Sequence, residues 1–116
     1  MFKAEHKIVL HAMSYNNQGR SIAYTQKAIE KLFALKIGGY TSINANGGWF
    51  DNGKLYVDQQ KLITFNCDEI NEKIKAVIYQ ALKIEFEQAE QINVSIEIDG
   101  TLFIMDHLSE FDQLWN

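Results

Sequence analysis

The chain has 116 residues, 47% hydrophobic and 22% charged, which suits one globular domain that buries its own core and excludes a disordered chain. Its net charge is −4 and Arg20 is its only arginine, which excludes duplex nucleic acid as a partner, since phosphate contacts need a basic surface and base readout favours arginine. The single cysteine, Cys67, excludes an internal disulfide, and no apolar run approaches the ~20 residues that span a bilayer, so the expectation is a cytoplasmic protein with no membrane partner.

In chain order, Lys7–Tyr15 is apolar on both sides of its alternation and predicts a central strand. Asn16–Arg20 is a loop by composition, and Ser21 is the expected N-cap of a first helix. Ile22, Thr25, Ala28, Ile29, Leu32 and Phe33 give that helix its apolar face, and Gly38-Gly39 ends it. Tyr40–Phe50 has strand character but is rich in Asn and Gly, and Asp51-Asn52-Gly53 is a turn signal. Leu55–Val57 and Leu62–Cys67 read as two strands separated by Asp58-Gln59-Gln60.

Asp68 is the expected cap of a second helix, with the stripe Ile70, Ile74, Val77, Ile78, Ala81 and Leu82, running to about Gln88. Ile92, Val94, Ile96 and Ile98 alternate with polar residues and predict a half-buried strand. Asp99-Gly100 turns the chain into a final strand at Leu102–Met105. Leu108, Phe111, Leu114 and Trp115 then predict a short tail helix. The order β-α-β-β-α-β, with an extra C-terminal strand and tail helix, is that of the ferredoxin-like split βαβ: one α+β domain over residues 1–116, an antiparallel sheet with both helices on one face.

Gly47-Gly48-Trp49-Phe50-Asp51-Asn52-Gly53-Lys54-Leu55 resembles a segment of small bacterial and phage β-α-β-β-α-β families of unassigned function. In these, the second strand leads into G-x-W, a glycine turn and an aliphatic strand. The resemblance implies the fold and carries no functional residue with it.

A sheet covered by helices on one side leaves the other side open, and period-two alternation assigns residues to it. The expected open face carries His11, Met13, Tyr15, Ser42, Asn44, Thr64, Asn66, Ser95 and Glu97, with Leu62 at the same register as Thr64. Such a face, polar and nearly uncharged, suits hydrogen bonding to a ligand or to a second copy of the chain; a merely solvated face is the plain alternative. Arg20 and Ser21, at the start of the first helix, could receive a small anion, because helix N-termini present free N–H groups. The spacing is not that of a phosphate-binding P-loop. Asn44–Trp49 is a third candidate, where Gly47-Gly48 admits close approach and Trp49 could stack on a planar ligand.

No residue pattern assigns a reaction. His6 and His11 fall on opposite faces of one strand, and Asp106, His107 and Glu110 form only a weak cluster, so no metal is expected. Cys67 reads as a small buried thiol, and Glu85 and Glu87 as solvated charge. The resulting expectation is a non-catalytic binder of a small, planar, anionic, nucleotide-like metabolite, self-associating and free of cofactors. Its ligand set would be Arg20, Ser21, Asn44, Trp49, His11, Tyr15, Thr64 and Asn66. The alternatives are a protein-interaction module using the tail, and a cofactor-independent oxygenase or isomerase with His11 and Tyr15 in a cleft.

Overall fold

In the computed structural model, which describes residues 1–116, five strands form one antiparallel sheet in the order β2-β3-β1-β4-β5. The strands are β1 (His6–Met13), β2 (Thr41–Asp51), β3 (Lys54–Cys67), β4 (Val94–Ile98) and β5 (Thr101–Met105). The helices α1 (Ala23–Lys36) and α2 (Glu72–Lys83) pack on one face, which is the ferredoxin-like arrangement with an added edge strand. No helix is long and apolar enough to cross a membrane.

Alternation decides the two faces. Ile8, Leu10 and Ala12 of β1, Ile63 and Phe65 of β3, and Val94 and Ile96 of β4 are 0–2% exposed and meet Ile29, Phe33, Ile78 and Leu82 from the helices. Phe33 and Phe65 meet edge to face at 4.8 Å in the centre of this core. Their register partners fix the opposite face, which carries His11, Met13, Leu62, Thr64, Asn66, Ser95 and Glu97, as the alternation predicts.

β2 reverses that expectation. Ser42 pairs with Ile63 and Asn44 with Lys61, so both lie on the helix side, and the Ser42 hydroxyl donates to Glu30 of α1 at 2.6 Å. The open face of β2 is instead Ile43, Ala45, Gly47 and Trp49. The cause is the register with β3, which carries no sequence signal of its own.

β3 is one 14-residue strand, continuous through Asp58-Gln59-Gln60. Its first half pairs only with β2, because β1 reaches no further than Gln60 in the strand register. The β2–β3 hairpin therefore extends beyond the body, lengthening the molecule to 48 Å against 29 and 27 Å. Asn52 and Gly53 close its tip, both at positive φ. Trp49 stacks on Tyr56 at 5.3 Å on one side of this extension, and Phe50, Leu55 and Val57 stand exposed on the other.

The helix caps differ from expectation. Ser21 is not the N-cap of α1: the helix starts after Ile22, and the Ser21 hydroxyl only approaches Ala23 N–H at 3.4 Å. Asn16 organises the preceding loop, its side chain accepting from Gln18 N–H and Arg20 N–H. For α2 the cap is Asn71, which accepts from Ile74 N–H, rather than Asp68. The segment before it leaves Ile70 packed against the core. Ile92 is not part of β4; it sits in the bend before that strand, 74% exposed.

α2 continues into a π-helical turn at Ile84–Gln88, and Glu85, next on the apolar stripe after Ile78, Ala81 and Leu82, is completely buried. Only Glu87 behaves as solvated charge, facing Lys83 at 3.9 Å. The tail forms a 3₁₀ helix, Leu108–Trp115, that belongs to the core rather than standing free as a docking edge: Leu114 is buried, and Phe111 meets Tyr79 and Trp115 edge to face. Glu110 accepts from the N–H groups of Asp106 and His107, so this acidic–imidazole cluster is a helix cap.

Candidate functional site

The sheet's open face holds a concavity of about 940 Å³ at the base of the projecting hairpin. Its walls come from three places. β1 and the residue following its loop entry supply His11, Met13 and Tyr15; the hairpin supplies Gly47, Trp49, Asp58 and Gln60; the entry to β4 supplies Gln91, Asn93 and Ser95. Volumes of this order accommodate small-molecule ligands.

The floor has a chemical bias. Asp58 and Gln60 share the open face of β3, and Asp58 Oδ1 and Gln60 Oε1 are shielded from solvent without a hydrogen-bond partner. Gly47 makes their placement feasible: a Cβ there would lie 2.7 Å from Asp58 Oδ1 and 2.9 Å from Gln60 Nε2. Two unpaired acceptor oxygens favour a ligand that brings N–H, O–H or positive charge. At the β4 side His11 Nε2 lies 3.2 Å from Glu97 Oε2, so the imidazole is held by a carboxylate while its ring lines the cavity.

A second, smaller cavity of about 430 Å³ adjoins the first through Tyr15, Gln59 and Gln60. Ser21 and Ala23, at the start of α1, and Asn44 and Asn46 of β2 line it. It is polar and uncharged.

Of the residues singled out from sequence, His11, Tyr15 and Trp49 converge on the larger cavity, and Ser21, Asn44 and Tyr15 on the smaller. Thr64 and Asn66 lie on the open face toward the other end of β3 and line neither. Arg20, on which an anionic ligand depended, also lines neither, and no Lys or Arg does. Asp58, Gln60 and the π-turn were missed by sequence. Asp58-Gln59-Gln60 resembles a loop in composition, and only the β2 register turns it into a cavity floor.

Cys67 is a free thiol, half-buried at the end of β3. Burial, then the nearby Asp68 and Asp99, push its thiol pKa up, against a smaller lowering by the backbone at Glu69.

No known protein family matches the chain, and none of the curated proteins matches it in sequence. Among solved structures it is similar to a phage SAM lyase in complex with S-methyl-5′-thioadenosine, with TM-score 0.65 and 11% identity over 92% of this chain and 95% of that one. The same kind of lyase in its apo state aligns with TM-score 0.61 and 12% identity over equal shares. At this identity the likeness is one of fold: the chain shares the whole α+β architecture of these phage proteins.

Proposed function

We propose that the open-face cavity binds an adenine nucleoside bearing sulfur at its 5′ position, the class of S-methyl-5′-thioadenosine and S-adenosylmethionine. The observation that carries this reading is the composition of the cavity: Trp49 and Met13 for a planar base, unpaired acceptors on Asp58 and Gln60, and no cationic side chain. Ribose hydroxyls, an exocyclic amine or a sulfonium satisfy those acceptors; a phosphate does not. The similar phage lyase, solved with S-methyl-5′-thioadenosine, supports the same class. The ligand is thus neutral or cationic, in place of the anion that Arg20 alone suggested. The protein is proposed to work in the cytoplasm.

A second reading, cleavage of S-adenosylmethionine, draws on the His11–Glu97 pair. A sulfonium is a good leaving group. When its C–S bond breaks, the electron pair stays on sulfur and yields the neutral thioether. The carbon side is completed either by the substrate's own carboxylate or by loss of a neighbouring proton to His11, whose orientation Glu97 holds.

Calorimetric titration with S-methyl-5′-thioadenosine, S-adenosylmethionine and AMP tests the ligand class. The first two should bind and AMP should not; the reverse order overturns the reading. Incubation with S-adenosylmethionine, followed by chromatography, should release S-methyl-5′-thioadenosine if the lyase reading holds, and leave substrate intact if the protein only binds. We also propose self-association through the open face, where Ile43, Leu102 and Ile104 are 56%, 49% and 63% exposed, to be read by light scattering on the purified protein.

A further inference from the structure

β4 pairs with β1 only along Ile8–Leu10. Ser14 N–H donates to Gln59 O of β3, so the alternation of an antiparallel strand turns the Met13 N–H to the opposite side, toward β4. β4 does not cover it, because the chain is still in the bend at Gln91–Asn93 and the strand begins only at Val94. The top of β1 thus has one sheet neighbour instead of two, and this stretch is the one whose side chains, Met13 and then Tyr15, wall the larger cavity.

Two polar side chains approach from behind. Gln26 of α1, 3% exposed, donates through Nε2 to Ala12 O at 2.9 Å and to Ser14 Oγ at 3.0 Å. Glu85, fully buried, comes from the π-turn, whose bonds Ala89 N–H to Ile84 O and Gln91 N–H to Glu85 O mark the widened backbone. Single π-turns of this kind concentrate at functional sites. The Met13 backbone N–H is the one polar group that acts on the Glu85 carboxyl, and neither carboxyl oxygen has a hydrogen bond of full geometry.

We propose that Glu85 is a positioning residue of the open-face cavity: from behind β1, its carboxyl group takes the Met13 N–H that β4 leaves unpaired, and so sets the wall formed by Met13 and Tyr15. Burial pushes the Glu85 pKa up to about 8, with the Met13 N–H offsetting part of that, so the group is held as a neutral acid near pH 7. No charged group faces it to favour ionisation. The buried side chains of α1 are Thr25, Gln26, Ile29 and Phe33, and those of β4 are apolar. Lys83 and Glu87 of its own helix face each other at the surface, and the Tyr24 hydroxyl is bound to Gln88 O. Ionisation above pH 8 places an unpaired charge behind the cavity wall, which must then move or admit water.

The role in ligand binding rests on the proposed function; the effect on the wall does not. The test is an amide-resolved NMR titration of the free protein from pH 6 to 9.5, with S-methyl-5′-thioadenosine affinity measured alongside, in wild type and Glu85→Gln. The Met13 and Tyr15 amides should shift together near pH 8 in wild type and stay still in Glu85→Gln. Affinity should weaken roughly tenfold between pH 7 and 9 in wild type and remain flat in the variant. A Met13 amide that does not titrate, or titrates equally in both proteins, overturns the proposal. If S-methyl-5′-thioadenosine binds neither protein, the ligand reading fails while the amides still decide the role of Glu85. If it binds both with one pH profile, the positioning role is overturned and the ligand reading stands.

Discussion

Two carboxyl groups sit near the two ends of β1, and the fold moves them in opposite directions. Asp99, in the β4–β5 turn, meets the lower end: it accepts from His6 Nδ1 at 2.7 Å and Lys7 N–H at 2.8 Å, and these bonds hold its pKa below the usual carboxylate range. Glu85 meets the upper end, where burial pushes its pKa up to about 8. The lower end has strand neighbours on both sides and water nearby, so a charge there is well served. The upper end has lost β4, and only a neutral acid suits it. The difference shows where the sheet is complete and where it has been opened next to a cavity.

The largest effect that would break this comparison is in stability against pH. The folded state holds the Glu85 proton more tightly than the unfolded chain, whose glutamate titrates near 4.5. As pH rises the unfolded state releases its proton first, so stability falls through the window from about 4.5 to about 8 and levels off above it. The slope in that window approaches ~1.4 kcal/mol per pH unit, roughly 4–5 kcal/mol in all. Glu85→Gln should remove this slope in urea unfolding measured at pH 5, 6, 7 and 8. An unchanged slope would mean that Glu85 is ionised in the folded protein.

Next in size, Gln26→Ala should cost about 1–3 kcal/mol in the same assay, because it strips a buried donor from Ala12 O and Ser14 Oγ. Asp58→Asn should leave stability nearly unchanged while weakening S-adenosylmethionine about tenfold, the loss of one partly desolvated charge contact. Neutral S-methyl-5′-thioadenosine should lose less, and equal losses for the two ligands would remove Asp58 from contact with the sulfonium side. The smallest effect belongs to the lower end. Asp99→Asn should cost under about 1 kcal/mol, since exposed pairs are screened. Its depressed pKa gives a contribution present above the ordinary aspartate range and lost as acid protonates the group, so wild type and variant should converge in unfolding curves taken near pH 2–3.

Much of the fold was legible in the sequence because period and punctuation agree there. The stripe Ile74, Val77, Ile78, Ala81 and Leu82, the alternation through Val94 and Ile98, and the turns at Asn52-Gly53 and Asp99-Gly100 each appear in the structure as read. The outward set on β1 and β3 was legible too, since Ile63 and Phe65 leave Leu62 and Thr64 no other side. β2 was not. Thr41–Asp51 has no apolar period strong enough to choose a face, so its partner strand chooses, and Ser42 and Asn44 turn toward α1. Glu85 was misread for a different reason: it follows Ile78, Ala81 and Leu82 by seven, four and three residues and so lies on the buried stripe, but its charge made it read as a solvated residue. His11 and Tyr15 were placed by alternation and Trp49 by residue type, and all three line the cavity, whereas Asp58 and Gln60 line it only through register and the missing side chain of Gly47.

The placement of β1 has a consequence for how the sheet is assembled. β2–β3 and β4–β5 are hairpins closed by tight turns, and such units form in microseconds. β1 lies between them, with Ile8 paired to Phe65 on one side and to Ile98 on the other, so its partners come from the middle and the far end of the chain. The two hairpins can therefore exist early, each with an unsatisfied edge, and neither can join the other until β1 slides between them. The β1 pairings thus span the longest sequence separations in the sheet and carry its largest loop-closure cost.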